Sequence, residues 1–433
     1  MRERTRNGAK EMKRKNAVAN FLEKVYHRLS DQKFIEESKM EKKDFTRKRK
    51  IGFAGTVIMV LNKTGKSLQT GIRAFLKSMH NETESYSKQA FSRGRLRVKW
   101  EAFQELFRMT THEFYSEYKY KTYQGYRVSA VDGTKFNLPY HEKSKIEFGI
   151  QDGHGDTIQA LGSCLYDVMN GILLDAVIVS CNGNERVLAQ EHLEYLSSIQ
   201  TDQELILFDR GYPSAKLIDF IEKKGFKYLM RCDHTFASGI LPKRTGDDCV
   251  IMHKFAHSKI EVKLRFITIT LSNGREELLI TNVFDPHFTV QDFSKLYHMR
   301  WEIETNYNDM KNKLEIENFS GTSPLAVKQD FYATMFLKNL AAMMIFENAD
   351  PIKELHDSDE NQYQYKANMN TVISILKTDL IEMLVTNSKR KRSAILRHIY
   401  NEISKAVIPV RHDRFFPRKK SHLHSKFHQN QKS

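Results

Sequence analysis

The chain has 433 residues, 40% of them hydrophobic, which is enough for a large core spread over two or three domains. Its formal net charge is +16 and its pI is near 9.4, so we expect a polyanionic partner, with nucleic acid as the first candidate and an anionic membrane surface as the second. No run of about 18 apolar residues is present, which excludes a transmembrane helix, and no secretory signal is expected at the basic N-terminus.

Two clusters of basic side chains occupy the first fifty residues. They comprise Arg2, Arg4, Arg6, Lys10, Lys13, Arg14 and Lys15, and then Lys42, Lys43, Arg47, Lys48, Arg49 and Lys50. Either cluster fits a solvated helix face or a mobile tail as well as a DNA contact. Apolar spacing predicts helices between residues 52 and 125, with a break at Thr64-Gly65 and Ser87 as an N-cap. We therefore predict a helical, basic DNA-binding region over residues 1–125.

The pattern changes at Arg127 from helices to short apolar strands. The strands RVSAVD, TIQALGSCLYDV and ILLDAVIVS come first. A helix with Asn184 as its N-cap, the strand LILFD, a helix from Pro213 to Gly225 and the strand KYLMRC follow. Three strands, a helix, a strand, a helix and a strand are the order of an RNase H-like α/β core. We assign the first part of this core to residues 126–234.

A β-rich insertion is predicted to interrupt the core over residues 235–290. KIEVKLRFITITL and EELLITNVF alternate as strands do. Ser272-Asn273-Gly274 between them predicts a hairpin, because Asn-Gly tolerates the positive φ that primed turns need.

Helices resume at Val290 and continue to about Val385. Residues 291–345 are expected to complete the core, and residues 346–433 to form a helical C-terminal region. The last 45 residues hold thirteen Lys or Arg against two acids, and the stretch after Phe416 is predicted to be disordered.

Two aspartates close apolar strands. Asp132 ends RVSAVD before Gly-Thr, and Asp209 ends LILFD before Arg-Gly-Tyr. Open α/β sheets bind ligands at the carboxyl edge, and aspartate is unfavourable within a strand. Each acid on its own also fits the start of a turn or the cap of a loop; two together favour a site.

A third acid comes from the predicted helix LYHMRWEIETNYNDMKNKLEIENF. At about 100° per residue, Tyr297, Arg300, Glu304 and Lys311 fall in a stripe about 60° wide and about 21 Å long. Glu302, the nearest alternative acid, faces away. The stripe fits either a surface face with ion pairs or a metal-binding carboxylate flanked by groups that hold phosphates.

Carboxylates of this kind suit two-metal phosphoryl transfer, in which two ions about 4 Å apart stabilise the attacking and leaving oxygens. Hard cations such as Mg²⁺ or Mn²⁺ prefer oxygen ligands. The four cysteines are far apart in sequence, which predicts reduced thiols in a cytosolic protein rather than a zinc site. The histidine-rich HLHSKFH near the C-terminus is interpreted as unstructured.

In these motifs the sequence resembles the DDE transposases of bacterial insertion sequences, in particular insertion-sequence family four. The family signature of Tyr, Arg three residues on, Glu four further and Lys seven further is met by Tyr297, Arg300, Glu304 and Lys311. SAVDGTKFNLP matches the first catalytic motif at Asp132, and LILFDRGYPS matches the second. Other similar stretches are FTRKRKIGF, KSLQ, SKQAFSRGR, LYDVMNG and NERVLAQEHL, so the resemblance covers roughly residues 45 to 345.

The resemblance implies an RNase H-like core with a β-strand insertion, in which Asp132, Asp209 and Glu304 bind two Mg²⁺ ions, with Mn²⁺ able to substitute. It implies hydrolysis at the element ends and then attack of the freed 3′-hydroxyl on target DNA. Arg300 and Lys311 are expected to hold phosphates, and Tyr297 to contact the backbone of the DNA end. A homodimer that bridges two DNA ends in a synaptic complex is also implied.

One departure concerns a tryptophan. Better-known relatives use a Trp of the insertion to accept a flipped base, whereas this chain has only Trp100 and Trp301, both outside the insertion. Phe284 or Phe288 is the candidate for stacking such a base, and a hairpin intermediate is left open. Trp301 is expected to pack the signature helix against the core.

The sequence therefore predicts a cut-and-paste DNA transposase that binds the terminal inverted repeats of an insertion sequence. Element ends and target DNA are its expected partners, with no membrane, and the expected location is the bacterial cytoplasm in association with the nucleoid. Two alternatives stay open: a catalytically silent, transposase-derived DNA-binding protein, and an RNase H-like nuclease without strand transfer.

Overall fold

A computed structural model gives the fold. It describes residues 17–47, 49–62, 68–79, 85–150, 156–199, 203–233, 236, 238, 245–254, 261–270, 274–356, 363–386 and 388–410. The first basic cluster, Lys48 of the second, Thr64-Gly65, Ser272-Asn273 of the predicted turn and the predicted disordered tail lie outside these residues. The chain divides into two compact units, one formed by residues 1–117 with 340–433 and the other by residues 118–339.

Within the described residues, the first unit begins with six helices: α1 Ala17–Ser30, α2 Gln32–Ser38, α3 Phe53–Leu61, α4 Leu68–Ser78, α5 Lys88–Arg95 and α6 Glu101–Glu117. Helix α1 buries Phe21, Leu22 and Val25 on one face and packs against α2, α3 and α6. Ser87 caps α5 as predicted, because its Oγ accepts a hydrogen bond from the backbone N–H of Ala90 at 3.1 Å.

The second unit is a mixed α/β structure built on one large sheet. Its elements in chain order are β1 Arg127–Asn137, α7 Glu142–Phe148, β2 Gln159–Asp167, β3 Ile172–Ser180, α8 Glu185–Ser198, β4 Glu204–Phe208, α9 Ala215–Lys224, β5 Lys227–Cys232, β6 Asp248–Lys254, β7 Glu261–Thr270, β8 Glu276–Thr281, α10 Val290–Met299 and α11 Trp301–Asn312. The eight strands lie in the order β3-β2-β1-β4-β5-β8-β7-β6. β4 is parallel to β1 and β5, and every other neighbouring pair is antiparallel.

The predicted strands and helices of residues 126–234 are present, with two corrections. β1 does not end at Asp132 but continues to Asn137, because pairing with β2 holds the Asp-Gly step in register with Cys164 and Ser163. Helix α9 begins after Ser214, whose Oγ accepts from the N–H of Leu217, rather than at Pro213.

Two caps of this unit are as predicted. Asn184 caps α8 by accepting from the N–H of Arg186 at 3.0 Å. Gly225 ends α9 in the left-handed conformation with φ of 75°, which glycine adopts at no steric cost.

The β-rich segment continues the same sheet. β8 pairs with β5, β7 with β8 and β6 with β7. The strands predicted on either side of Gly274 are therefore present as an antiparallel pair, while β6 is a strand that the sequence did not indicate.

The signature helix is divided at Arg300. Its backbone N–H donates to the carbonyl of Tyr297 at 3.1 Å, and Ile303 N–H donates to the carbonyl of Arg300 at 3.2 Å. These i to i+3 bonds tighten the chain locally, so α10 ends at Met299 and α11 begins at Trp301. The expected single helix is thus two consecutive helices.

The remaining elements are α12 Pro324–Glu347, α13 Ala349–His356, β9 Tyr365–Ala367, α14 Met369–Val385, α15 Lys389–Lys405 and β10 Val407–Pro409. From residue 340 onward they belong to the first unit, where α14 and α15 pack against α1. β9 interrupts the run of helices that the sequence predicted up to Val385, because it pairs with β10. Across the part of the chain that the structure describes, no helix combines the length and apolarity that crossing a membrane requires.

Candidate active site

Asp132 and Asp209 lie at equivalent register positions at the carboxyl end of the parallel pair β1 and β4. Ala130 of β1 is opposite Leu207 of β4 in the last parallel pair, and each aspartate is two residues further along its chain. β4 ends at Phe208, so Asp132 lies where β1 has lost its neighbour on that side. Although Asp132 is within a strand, it therefore occupies the carboxyl edge that the sequence predicted for it.

The backbone of Asp132 is held by two hydroxyl groups. Tyr307 of α11 donates its hydroxyl to the Asp132 carbonyl at 2.6 Å, and Ser163 of β2 donates to the same carbonyl at 3.3 Å. The N–H of Gly133 donates to the Asp132 carboxylate at 2.9 Å. These bonds fix the orientation of β1 at the point where its acid is presented.

Burial raises the pKa of Asp132 to about 7. The N–H of Gly133 and the guanidinium of Arg300 oppose that rise in pKa, while the carboxylates of Glu185 and Glu304 add to it. Burial thus disfavours the charged form of Asp132, and a bound cation would favour it.

Asp209 is contacted by the first residue of the signature. The hydroxyl of Tyr297 in α10 lies 3.4 Å from Oδ1 of Asp209. Burial raises the pKa of Tyr297, and the Asp209 carboxylate adds to that rise while Arg300 opposes it. Tyr297 is thus a neutral hydrogen-bond donor next to the second acid.

Arg300 and Glu304 form an ion pair across the junction of α10 and α11. Nη2 of Arg300 lies 2.9 Å from Oε1 of Glu304, and the arginine side chain is 5% exposed against 36% for the glutamate. The guanidinium also lies over the ring of Trp301, 5.3 Å from its centroid. Glu302 is exposed, which agrees with the prediction that it faces away from the other acids.

The ammonium group of Lys311 is tied to β1 just beyond Asp132. It donates to Oγ1 of Thr134 at 2.9 Å and to the carbonyl of Lys135 at 2.8 Å, and it lies over the ring of Phe136. The structure therefore joins Tyr297 to Asp209 and Arg300 to Glu304, and it places Lys311 against β1 two residues beyond Asp132.

Glu185 and Tyr212 are site neighbours that the sequence did not single out. Glu185 is the first residue of α8, and Tyr212 follows Asp209 in the Arg-Gly-Tyr turn. The only sequence signals were the NERV and DRGY stretches in which they stand. Their proximity to Asp132 depends on the packing of α8 against β1.

A serine, a histidine and an aspartate lie in a row beneath Asp132. Nδ1 of His192 is 2.9 Å from Asp175, and its Nε2 is 3.0 Å from Oγ of Ser163. All three side chains are buried, so no substrate reaches them. The row supports the sheet and does not form a hydrolase site.

The structure contradicts the expectation for Trp301 and, of the two candidates for stacking a base, excludes Phe288 while Phe284 is partly exposed. Trp301 is 42% exposed and does not pack α11 against the core, because it starts that helix on the solvent side. Phe288 is buried among Tyr123, Tyr126 and Phe293, so it is inaccessible to a base.

The donor chemistry fits a divalent cation. Asp132, Asp209 and Glu304 supply carboxylate oxygens, which hard cations prefer, and burial is the main cause of the raised pKa of Asp132. Among the described residues, no three His, Cys, Asp or Glu side chains are grouped as ligands of a single ion. The carboxylate of Glu304 is paired with Arg300 instead.

Comparison with known proteins places the chain in a family. The family described as Transposase DDE domain matches residues 123–340, about half of the chain and the range that contains all three acids. Transposase InsG for insertion sequence element IS4, from Escherichia coli (strain K12), is 23% identical over 352 residues, covering 76% of this chain and 75% of InsG. Among solved structures, the piggyBac transposase synaptic complex with hairpin DNA gives a TM-score of 0.45 at 8% identity, covering 86% of this chain and 84% of that one. The family match and the InsG match confirm the predicted resemblance, and the chain belongs to the DDE-domain transposases, enzymes that cleave DNA and transfer its strands.

Proposed function

We propose that this transposase carries out cut-and-paste transposition of an insertion sequence, with Asp132, Asp209 and Glu304 as its catalytic, metal-binding acids. The observation that carries the proposal is the convergence of acids from three elements. Asp132 on β1 and Asp209 just after β4 lie at the same edge of the sheet, and α11, which carries Glu304, donates a hydrogen bond from Tyr307 to the Asp132 carbonyl. The three acids are far apart in the sequence, so only the fold brings their elements together.

DDE transposases use divalent metal ions, and we propose two Mg²⁺ ions here, with Mn²⁺ as a substitute. When bound, the ions would stabilise the negative charge on the attacking and leaving oxygens of the phosphodiester. The three acids would hold the ions, while Tyr307 and Ser163 keep the Asp132 backbone from moving. In the first step water attacks the phosphodiester at the element end and a 3′-hydroxyl leaves; in the second step that hydroxyl attacks a target phosphodiester, a new P–O bond forms, and the 3′-oxygen of the target strand leaves as a hydroxyl.

The Tyr-Arg-Glu-Lys signature is proposed to act on DNA. Arg300 pairs with Glu304, Lys311 bonds β1 two residues beyond Asp132, and both cations suit phosphate oxygens. Tyr297 offers a neutral hydroxyl beside Asp209. We assign these residues to holding the backbone of the DNA end near the scissile bond.

We also propose a division of the chain into a catalytic core, an insertion and two flanking regions. The strand order β3-β2-β1-β4-β5, with β4 parallel to both neighbours, supports an RNase H-like core over residues 126–234 and 291–345. Residues 1–125 are proposed to bind terminal inverted repeats, residues 235–290 to be the insertion, and residues 346–433 the C-terminal region. The active form is proposed to be a homodimer in a synaptic complex at the bacterial nucleoid.

A strand-cleavage and strand-transfer assay tests this function. Purified full-length protein with Mg²⁺ is incubated with DNA carrying the element ends and with a target plasmid. We expect nicked ends and joined products, and neither from Asp132→Asn or Asp209→Asn. Binding without cleavage would favour the silent DNA-binding protein, cleavage without joining would favour the nuclease, and full activity of both variants would overturn the site.

A further inference from the structure

We propose that Glu185 is a fourth acid of the active site, which helps to hold the divalent ions, and that the buried hydroxyl of Tyr212 is a hydrogen-bond donor to the same loaded site. The inference rests on the proposed function, because it adds residues to the same site. Neither residue belongs to the three-acid set or to the Tyr-Arg-Glu-Lys signature.

The first observation is the close approach of Glu185 to β1. A Cβ atom added at Gly133 would overlap Oε1 of Glu185 and lie 3.2 Å from its Cδ. The carboxylate of Glu185 therefore lies against β1 at the residue that follows Asp132, and a side chain at that residue would displace it. The charge of Glu185 adds to the raised pKa of Asp132.

The second observation is that the helix carrying Glu185 is fixed to the loop after Asp209. Glu185 is the first residue of α8, where Asn184 caps the helix. The next residue, Arg186, donates from Nε to the carbonyl of Gly211 at 2.9 Å. The start of α8 thus contacts the residue after Asp132 and the loop after Asp209. Burial raises the pKa of Glu185, and the charge of Asp209 adds to that rise.

Tyr212 supplies an independent indication of a ligand. Its side chain is 2% exposed, and within the described part of the chain its hydroxyl has no hydrogen-bond partner. Burial raises the pKa of Tyr212, and Glu185 is the first of the carboxylates that add to that rise, ahead of Asp132 and Asp209. A buried hydroxyl without a partner is costly, so a group that completes its bonding is expected when the site is loaded.

A carboxylate in this position suits metal binding more than an ion pair. Lys135 is the cation that acts on the pKa of Glu185, and burial outweighs its effect. The hydroxyl of Tyr212, which has no hydrogen-bond partner among the described residues, can donate to a metal-binding carboxylate of the loaded site. Such outer hydrogen bonds orient metal-binding carboxylates and typically change metal affinity about 10-fold to 100-fold.

The test measures Mn²⁺ binding by the full-length protein with isothermal titration calorimetry, without DNA. We expect Glu185→Gln and Tyr212→Phe each to lower Mn²⁺ affinity about tenfold, and Glu185→Asp to recover part of the loss. Glu191→Gln is the matched control, since Glu191 is exposed on the same helix, and it should bind as the unmodified protein does. Thermal unfolding without metal checks that each variant is folded.

The outcomes separate this inference from the function on which it rests. Asp132→Asn is measured in the same series. If it weakens Mn²⁺ binding while Glu185→Gln stays within about twofold of the unmodified protein, Glu185 is not part of the site and the three-acid assignment stands. If Asp132→Asn has no effect on Mn²⁺ binding, both the three-acid site and the role of Glu185 are overturned.

Discussion

The guanidinium of Arg300 and the carboxylate of Glu304 are paired at 2.9 Å across the junction of two helices, with the arginine almost fully buried and the glutamate accessible. The buried Arg300 holds the carboxylate of Glu304 in place with one of its N–H groups, and its other N–H groups are not used in this ion pair. Its Nε has no hydrogen-bond partner among the residues that the structure describes. Arg300 is therefore suited to orient Glu304 and to bind a phosphate oxygen through its remaining donors.

Loss of the Arg300 guanidinium should impair chemistry more than DNA binding. We expect Arg300→Ala to lower the cleavage rate about 100-fold or more, the usual effect of removing one preorganised donor, and to weaken DNA affinity by less than about threefold. Single-turnover cleavage and filter binding measure the two effects. Glu304→Gln should abolish cleavage, whereas Glu302→Gln, on the exposed side of the same helix, should not. Equal losses in binding and cleavage for Arg300→Ala would contradict this role.

The acidity of Asp132 predicts a pH-dependent stability of the metal-free protein. Its folded-state pKa of about 7 lies above the ordinary value of 3.8, so folding favours the protonated carboxyl. The resulting penalty is absent at low pH, where both states are protonated. It grows as the pH rises from about 4 to 7 and is complete above that range.

Asp132→Asn removes this penalty and should therefore stabilise the protein in EDTA at pH 8. A gain in the free energy of unfolding on the order of 1 kcal/mol or more is expected, shrinking as the pH falls toward 4. Urea unfolding at several pH values measures it, with Glu191→Gln as a control that should show no such trend. A gain that does not vary with pH would show that the carboxyl is not the cause.

Much of this site could be anticipated because its signals are local. Asn184 and Gly225 indicate where helices begin and end, because both are typical cap residues. The unbroken apolar run LILFD predicts that β4 is buried, and the structure confirms it. The acids were recognised from the residues around them. Signals of this kind depend on near neighbours in the chain, which a single sequence contains.

The features that the sequence did not predict depend on contacts between residues that are far apart in the chain. β1 runs past Asp132 because β2 pairs with it residue by residue, and that pairing outweighs the local turn signal of Asp-Gly. Glu185 meets Gly133 only because α8 packs over β1, and no spacing in the sequence indicates this contact. The division at Arg300 was likewise not indicated by the sequence, since helical periodicity continues through it.

Lys311 should matter for the geometry of Asp132. Its ammonium holds Thr134 and the carbonyl of Lys135, so Lys311→Met should loosen β1 beyond the acid. We expect the cleavage rate to fall at least about tenfold with little change in DNA affinity. Lys313→Met is the matched control, because Lys313 pairs with Asp309 and has no contact with β1 among the hydrogen bonds and ion pairs described. Cleavage that is unchanged in Lys311→Met would remove this residue from the site.

The opposite end of the same strand pair predicts a stability effect without a catalytic one. Arg127 of β1 and Glu204 of β4 form an ion pair at 2.5 Å, and both side chains are fully buried. Glu204→Gln leaves a buried guanidinium without its counter-charge, which typically costs about 3–5 kcal/mol. Urea unfolding should show this loss.

Replacing both partners distinguishes the loss of a charge from the loss of packing. The double variant Arg127→Met with Glu204→Leu removes both buried charges, so it should recover most of the stability that Glu204→Gln loses. Its cleavage rate should be close to that of the unmodified protein under conditions in which it is folded, since the pair lies at the start of β1 and β4 while Asp132 and Asp209 lie beyond the last parallel pair. A double variant less stable than Glu204→Gln would mean that the hydrogen bonds of the pair, and not charge balance, hold these two strands together.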